Sequence, residues 1–438
     1  MTQRPIIAFF PEASFGAALN CVSIAQALER HGGQAVFICH PGFTGVFADY
    51  GFKEIHLPAS PQTSDAADYW QAFINRHLPH FDLSPQQQLA TYVGPTWEVI
   101  VDTVIMADAG LERALAQIRP DIIVLDNVIM FPAIAKAGYP WVRVISCAET
   151  ELPDSLVPPY LSGMSADDPG RADFEAEYLT VTANAHRRYM DFRRERGLSA
   201  LPPGQFMEPS PTLNLLLSPE PVRYCRAFPL DPATHRYLQG CVRDDAQFDQ
   251  PLLTDHPGPL VYVSFGSLGA IDVVLIDRMI RVFATIPARF VVNVGGFTES
   301  YRNVPDNVVL GSWFPQPSIV ACADLFIHHG GNNSFCEALY FGVPSLIMPY
   351  CWDGHDNAIR AVQTGVGRAL NRSSWAPADL RDAIEGLLTD QAMRGQLEAG
   401  SATMRQNPGS ETAATAIMGV VTNDHRPTSA LRQPGLAK

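Results

Sequence analysis

The chain has 438 residues, beyond the size at which one hydrophobic core keeps growing, so two domains of roughly 200 residues each are expected. Hydrophobic residues make up 47% and charged residues 17%, which excludes a disordered chain and supplies apolar material for two cores. Lys and Arg number 31 against 45 Asp and Glu, a net charge of -14 with no basic run to offset it, and this argues against nucleic acid as a partner.

The chain opens on a short apolar run, Ile6 to Phe10, too brief for a signal segment, and no stretch reaches the ~18 apolar residues of a membrane span. A cytoplasmic location is expected, with peripheral membrane contact left open. Ala17 to Arg30 carries helical spacing of Leu19, Val22, Ile24, Ala27 and Leu28; His31-Gly32-Gly33 ends it, and Ala35 to Cys39 is the next buried strand. The β-α-β pattern recurs with a helix over Leu111 to Ile118, a strand over Ile122 to Leu125, a helix over Phe131 to Ala137 and a strand over Trp141 to Ile145. Leu213 to Leu217 is read as the last strand of the first half. Residues 60 to 110 hold Tyr69, Trp70, Phe73, Ile74, Leu78, Phe81, Tyr92 and Trp97 without strand alternation; they fit helices and loops beside an acceptor cleft, or ordinary core packing.

Pro219, Pro221, Pro229, Pro232, Pro251 and Pro257 then mark a linker. A second series follows, with strands at Leu260 to Phe265, Phe290 to Val294, Val308 to Leu310, Leu325 to His328 and Ser345 to Met348. Helices fall at Val273 to Thr285, Ile319 to Cys322 and Asn333 to Tyr340. Buried parallel strands alternating with helices give an α/β protein of two doubly wound sheets, with a ligand cleft at the carboxyl ends of the strands. The expected domains are 1–220 and 259–405, with 221–258 as the linker between them. A C-terminal helix over 406–423, which could cross back to the first domain, and a disordered tail over 424–438 complete the chain. The eight cysteines stand singly, with no C-x-x-C pair, and read as buried free thiols.

The most informative stretch is His328-His329-Gly330-Gly331-Asn332-Asn333-Ser334-Phe335-Cys336-Glu337, between a predicted strand and a predicted helix. Gly330 and Gly331 let a backbone approach a ligand, and the free N–H groups that open the helix at Asn333 and Ser334 favour phosphate. His329 can donate to a phosphate oxygen, and Glu337 can accept from ribose hydroxyls. Upstream, Trp313 in Gly311-Ser312-Trp313-Phe314-Pro315-Gln316 can stack on a base while Gln316 reads its edge; a core role for Trp313 is the rival reading. Downstream, Asp353 in Trp352-Asp353-Gly354-His355-Asp356-Asn357-Ala358 is placed for sugar hydroxyls, and Asn357 fits a helix cap as well as a ligand contact.

The run from Trp313 to Ala358 resembles the donor-binding signature of family 1 glycosyltransferases, the group of plant secondary-metabolite, macrolide and glucuronosyl transferases. Val263-Ser264-Phe265-Gly266-Ser267 matches their loop after the first C-terminal strand. The resemblance implies a GT-B fold of two facing Rossmann-like domains. It further implies that Trp313 stacks on uracil or thymine with Gln316 beside it, that Ser267, His329, Asn333 and Ser334 hold the diphosphate around Gly331, that Glu337 holds the ribose, and that Asp353 holds the sugar.

Two departures stand out. Where the family has Gly-His, the His being the base, this chain has Gly16-Ala17, and Ala17 cannot move a proton. Asp126 matches the family's carboxylate that orients that His. Glu12 is the first candidate for a substitute base and Asp126 itself the second; an acidic acceptor that needs no base, or lost transfer chemistry, are the other readings. Gly354 stands where the family usually has Gln, which is expected to leave room and remove one contact to the sugar, with His355 able to compensate. Asp353, His355 and Asp356 could suggest a metal, yet the helix terminus already neutralises phosphate, so neither metal nor cofactor is expected. The sequence therefore predicts an inverting hexosyltransferase moving sugar from a UDP- or dTDP-sugar to a hydroxyl of an apolar small molecule. The alternatives are a catalytically impaired nucleotide-sugar-binding accessory protein and a GT-B sugar-nucleotide epimerase. Oligomeric state is not legible.

Overall fold

The computed structural model describes residues 4–58, 76–248, 257–270 and 272–424. The expectations for Tyr69, Trp70, Phe73, Ile74 and Pro251, and for the tail beyond 424, lie outside these residues.

Two wholly parallel sheets organise the chain. The first runs in the order β3-β2-β1-β4-β5-β6-β7 and the second in the order β10-β9-β8-β11-β12-β13. In the first sheet, β1 (Ile6–Pro11), β2 (Gln34–Cys39), β4 (Ile122–Asp126), β5 (Trp141–Ile145) and β6 (Leu213–Leu217) are buried apolar runs, as strands covered on both faces must be. β3 (Lys53–His56) and β7 (His235–Leu238) are the edges. The second sheet comprises β8 (Leu260–Ser264), β9 (Arg289–Asn293), β10 (Val308–Gly311), β11 (Leu325–His328), β12 (Ser345–Ile347) and β13 (Gly367–Ala369). The strand order reverses between β1 and β4 in one sheet and between β8 and β11 in the other. Loops leaving those four strands diverge and open a crevice, the place where parallel α/β sheets bind ligands.

Nine long helices cover the sheets among the described residues. They are α1 (Phe15–Arg30), α2 (Gly94–Ile118), α3 (Arg171–Glu195), α4 (Val273–Phe283), α5 (Asn332–Phe341), α6 (Asp353–Gln363), α7 (Pro377–Thr389), α8 (Gln391–Gln406) and α9 (Gly409–Asp424). Phe81, Tyr92 and Trp97 are buried in the first domain, with Trp97 stacked on Phe206 at 3.9 Å, so core packing accounts for these three aromatics.

Two expectations need correction. Leu213–Leu217 is not the last strand of the first sheet, because His235–Leu238, inside the segment read as linker, pairs with it as β7. Only Leu238 of that strand is buried, so an edge strand with one apolar contact left no pattern to read. Not all the thiols are buried either, since Cys225 and Cys322 are exposed. No described helix is long and apolar enough to cross a membrane.

Helix α9 returns to the first domain. Ala413, Ala414, Ile417 and Val421 are buried in one apolar cluster with Val22, Ile24 and Ala25 of α1 and Ile7 and Phe9 of β1. Glu411 pairs with Arg30 and His31 at the helix end. Removing a buried Ile side chain leaves a cavity, so Ile417→Ala should cost about 2–5 kcal/mol, measured as a lower urea midpoint for the transition of the first domain. An unchanged midpoint would detach α9 from that unit.

Candidate functional site

The carboxyl ends of the two sheets face each other through buried polar contacts. Asn332, the first residue of α5, donates from Nδ2 to the carbonyls of Ser146 (2.9 Å) and Leu217 (2.8 Å), just beyond β5 and at the end of β6. Asp356 of α6 accepts from Thr150 Oγ1 (2.7 Å) and from the amides of Leu161 (3.0 Å) and Gly163 (2.8 Å). Between these ties, Trp352 sets its ring 6.2 to 6.5 Å from those of Trp97, Tyr160 and Tyr92. Its backbone is left-handed, with φ 55°, a conformation that persists only where surrounding contacts enforce it.

On the first sheet, register places Pro11 opposite Asp126, and the amide of Glu12 donates to the Asp126 carbonyl at 2.7 Å. Both sequence candidates for the base thus leave the same pair of strands. The Asp126 carboxylate is buried and occupied: it accepts from Ser146 Oγ (2.7 Å), Asn20 Nδ2 (3.0 Å) and Cys21 Sγ (3.7 Å). Burial pushes it up to about 7, against those hydrogen bonds. Asn20, one turn beyond Ala17 on α1, gives Asp126 a partner that sequence reasoning did not find. Ala17 itself is buried, its amide capped by Ser14 Oγ, and Gly16 is exposed in open space. Glu12 is half-buried with its side chain in a cluster of acids; burial, then the carboxylates of Asp126, Glu151 and Asp353, push it up to about 8. Arg143 pairs with Glu151 at 2.8 Å and supplies that cluster with one cation.

On the second sheet, β11 ends at His328 and the chain turns through Gly330 into α5. First-turn amides of a helix have no acceptor within it; that of Asn332 is taken by Asp353 Oδ2 at 2.7 Å, and those of Asn333 and Ser334 follow it. Trp313 is 59% exposed, and Phe314 beside it is the buried ring, so the core reading of Trp313 is excluded. Gln316 Nε2 donates to Glu337 Oε2 (2.7 Å) and to Ser334 Oγ (3.0 Å), while Asn333 Nδ2 donates to Glu337 Oε1 (3.2 Å). Four residues expected at the nucleoside and diphosphate therefore form one hydrogen-bonded group. Glu337 is buried and also pairs with Arg243 at 2.9 Å, a residue of the expected linker that the sequence did not single out.

His329 stacks on Tyr350 at 5.0 Å and is held down to about 4 by burial and by the nearby Arg372 guanidinium. It bonds the Ser264 backbone, and its Nδ1 has no partner. A neutral imidazole carries one N–H, so donation to a phosphate there requires either the other tautomer or protonation by the incoming anion. Ser267 lies in the short helix Gly266–Gly269, and its side chain is outside the described residues.

Gly354 does not leave room. A Cβ there would lie 2.5 Å from the His329 carbonyl oxygen, and one at Gly330, where φ is +90°, would lie 2.7 Å from the Gly354 carbonyl oxygen. The two glycines let the loop after β11 and the start of α6 touch backbone to backbone, so the residue is small because of that contact. Asn357 ties the same junction by donating to the Gly330 carbonyl at 2.8 Å, which accounts for it structurally. Nor does His355 compensate: it is buried, held down to about 4, and its Nε2 meets Gln88 Oε1 at 3.1 Å in the first domain. Asp353, His355 and Asp356 thus bond to three different partners and do not converge on one point. Among the described residues, converging ligand atoms occur at Cys39, Glu54 and His56 on β2 and β3, where Glu54 already accepts from the amides of Gly45, Phe47 and Ala48.

Residues 277–422 match the family described as the erythromycin biosynthesis protein CIII-like, C-terminal domain. Demethyllactenocin mycarosyltransferase of Streptomyces fradiae is 24% identical over 426 residues, covering 95% of this chain and 86% of that protein. Local matches to three further curated relatives span 41%, 28% and 30% of those proteins. Among solved structures, the glycotransferase of kitacinnamycin superposes with a TM-score of 0.70 at 19% identity, covering 96% of this chain and all (100%) of that one. Spinosyn rhamnosyltransferase SpnG complexed with thymidine diphosphate gives 0.66 at 16% identity, covering 95% of this chain and 100% of that one. These likenesses show the fold.

Two outcomes follow from the geometry. Gly354→Ala forces a Cβ onto the His329 carbonyl and should cost roughly 1–3 kcal/mol, read as a lower urea midpoint; an unchanged midpoint would contradict the close contact. The second concerns pH. Glu12, Asp126, Asp353 and Asp356 sit raised to about 8, 7, 7 and 6, so the fold holds protons that the unfolded chain has released. Their contribution is present at low pH and lost as pH climbs through those values. His40, His329 and His355, lowered to about 4, are neutral in the fold but release their protons near 6.5 when unfolded, so they oppose the fall with a smaller slope that fades above about pH 7.5. The urea midpoint of the ligand-free protein should fall from about pH 6.5 to about pH 8.5, and a flat or rising midpoint would contradict the buried-acid cluster.

Proposed function

Because this chain is a family 1 glycosyltransferase of the GT-B fold, we propose that it moves a sugar, with inversion, from a UDP- or dTDP-sugar to a hydroxyl of an apolar small molecule such as a polyketide, terpenoid, phenolic compound or lipid. The observation that carries this reading is the opposition of two sites: a cradle of α5 amides, Asn333, Ser334 and Glu337 beside an exposed Trp313, and a carboxyl group raised to about 8 at Glu12. The thymidine diphosphate printed for the spinosyn rhamnosyltransferase structure supports a nucleoside diphosphate as ligand. Trp313 takes the base, Glu337 a sugar hydroxyl of the nucleoside, and the start of α5 the diphosphate, whose charge the helix dipole and first-turn amides stabilise as it leaves. Asp353 takes the transferred sugar.

In the transfer step the acceptor oxygen forms its bond to the anomeric carbon as the bond to the phosphate oxygen breaks; the electron pair leaves with the diphosphate, and the acceptor proton passes to the Glu12 carboxylate. Burial raises Glu12 most, and Asp126, immobilised by Asn20, Ser146 and Cys21, adds to that once it ionises near 7. Neither a metal nor an organic cofactor enters this reading.

A second reading, nucleotide-sugar binding without transfer, draws on Ala17 and on Asn20 occupying Asp126. Nucleotide release measured against a panel of hydroxylated apolar acceptors separates the two. Transfer should occur, rise with pH as Glu12 ionises and level off above about 8. Glu12→Gln, which mimics the protonated group, should lower kcat by roughly 10²–10⁴-fold with donor affinity unchanged. Full turnover in that variant removes Glu12 as base; donor binding with no discharge to any acceptor favours the second reading.

A further inference from the structure

The segment between the two sheets carries a side chain into the donor cradle. Arg243 and Glu337 form an ion pair at 2.9 Å with 3% and 1% of their side chains exposed. The guanidinium is gripped on its other edges by Asp245 Oδ2, at 2.9 Å from Nη2 and 3.0 Å from Nε, and Nε also reaches the hydroxyl of Tyr50 in the first domain at 3.1 Å. Gln26 of α1 clasps the next residue, donating to the Asp244 carbonyl (3.0 Å) and accepting from its amide (2.8 Å). Ser318, two residues beyond Gln316, donates to the Ala246 carbonyl at 2.8 Å. Residues 243–246 are therefore wedged between the first domain and the base-reading loop.

We propose that Arg243 is a positioning residue for the nucleoside of the donor, fixing Glu337 as the acceptor of one sugar hydroxyl; this rests on the donor-site reading above. Acceptor capacity on the carboxylate supports one hydroxyl. Oε1 takes Arg243 Nη1 and Asn333 Nδ2, whereas Oε2 takes Gln316 Nε2 alone and keeps a lone pair. The fork of Arg243, anchored on Asp245 and Tyr50, sets which oxygen is free and which way it points, as a planar five-donor group can and a single ammonium cannot. Without the guanidinium, Glu337 becomes a buried carboxyl that has lost its cation, a situation that strongly favours the protonated acid and a weaker acceptor. Arg243 touches none of the backbone amides of α5 that take the diphosphate, and Asn333 meets Glu337 through its side chain alone, so nucleoside and phosphate recognition should come apart on substitution.

Calorimetric titration of the full chain with UDP and, separately, with inorganic pyrophosphate tests this. Arg243→Met should weaken UDP by about tenfold or more while pyrophosphate moves by less than about twofold, and Arg243→Lys, retaining charge without the fork, should recover part of the UDP loss. UDP affinity within about twofold of wild type, or equal losses for UDP and pyrophosphate, would overturn the assignment. Should Arg243→Met not fold, Arg243→Lys serves alone: a loss of about threefold or more confined to UDP supports the role, and no loss or an equal loss overturns it. Wild-type protein that binds neither ligand would instead overturn the donor site itself.

Discussion

The buried side-chain amide of Asn332 sets the position of everything else in the crevice. Two backbone carbonyls at the ends of β5 and β6 face away from water, and each would lose about 1–3 kcal/mol if left unpaired. One primary amide satisfies both, and it belongs to the first residue of α5. The backbone amide of the same residue is held by Asp353, and its side-chain oxygen accepts from Cys336 Sγ at 3.7 Å. The register of α5 against the first sheet is thereby fixed at one point, and Asn333, Ser334 and Glu337 inherit their places from it. The clamp of Asp356 on Thr150, Leu161 and Gly163 supplies the second point needed to stop rotation about the first.

Desolvation explains why the acids gathered between the sheets lean toward their neutral forms. Water is excluded by the same contacts that join the domains, so Glu12, Asp126 and Asp353 lose hydration faster than they gain partners. A cleft lined by fully ionised carboxylates would repel a diphosphate; one lined by carboxyl groups that readily hold protons does so much less. The fixed cations are already paired, Arg143 with Glu151 and Arg243 with both Glu337 and Asp245, and leave the remainder to this effect.

The central strands were legible because parallel strands buried on both faces are written as unbroken apolar runs. Ile122–Asp126 and Trp141–Ile145 appeared almost residue for residue. The strand-to-helix junction from His328 to Glu337 was legible because its glycines, side-chain amides and Glu337 follow one another along the chain. What stayed hidden was written elsewhere. Strand β7 buries one residue of four, and α3, rich in Arg and Glu, is held by scattered anchors such as Phe174 and Tyr189. Asn20, as partner of Asp126, is 106 positions away in the chain, and Arg243 is 94 from Glu337; no local pattern reports a pairing made by tertiary folding. Gly354 was misread for a related reason: a missing side chain signals spare volume in sequence, yet here it signals two backbones in contact.

The return of α9 to the first domain means that the polypeptide passes between the sheets twice, once before β8 and again between α8 and α9. Cutting the chain between residues 248 and 257 would therefore not yield two complete halves, because the N-terminal fragment would leave Ala18, Val22 and Ala25 of α1 without the Ala414 and Ile417 that cover them. Recombination between homologous chains meets the same geometry. A hybrid joined at a single crossover in that segment takes the outermost helix of its first domain from the parent of its second, so its α1–α9 seam is a foreign interface that two junctions, the second near Asn407, would avoid.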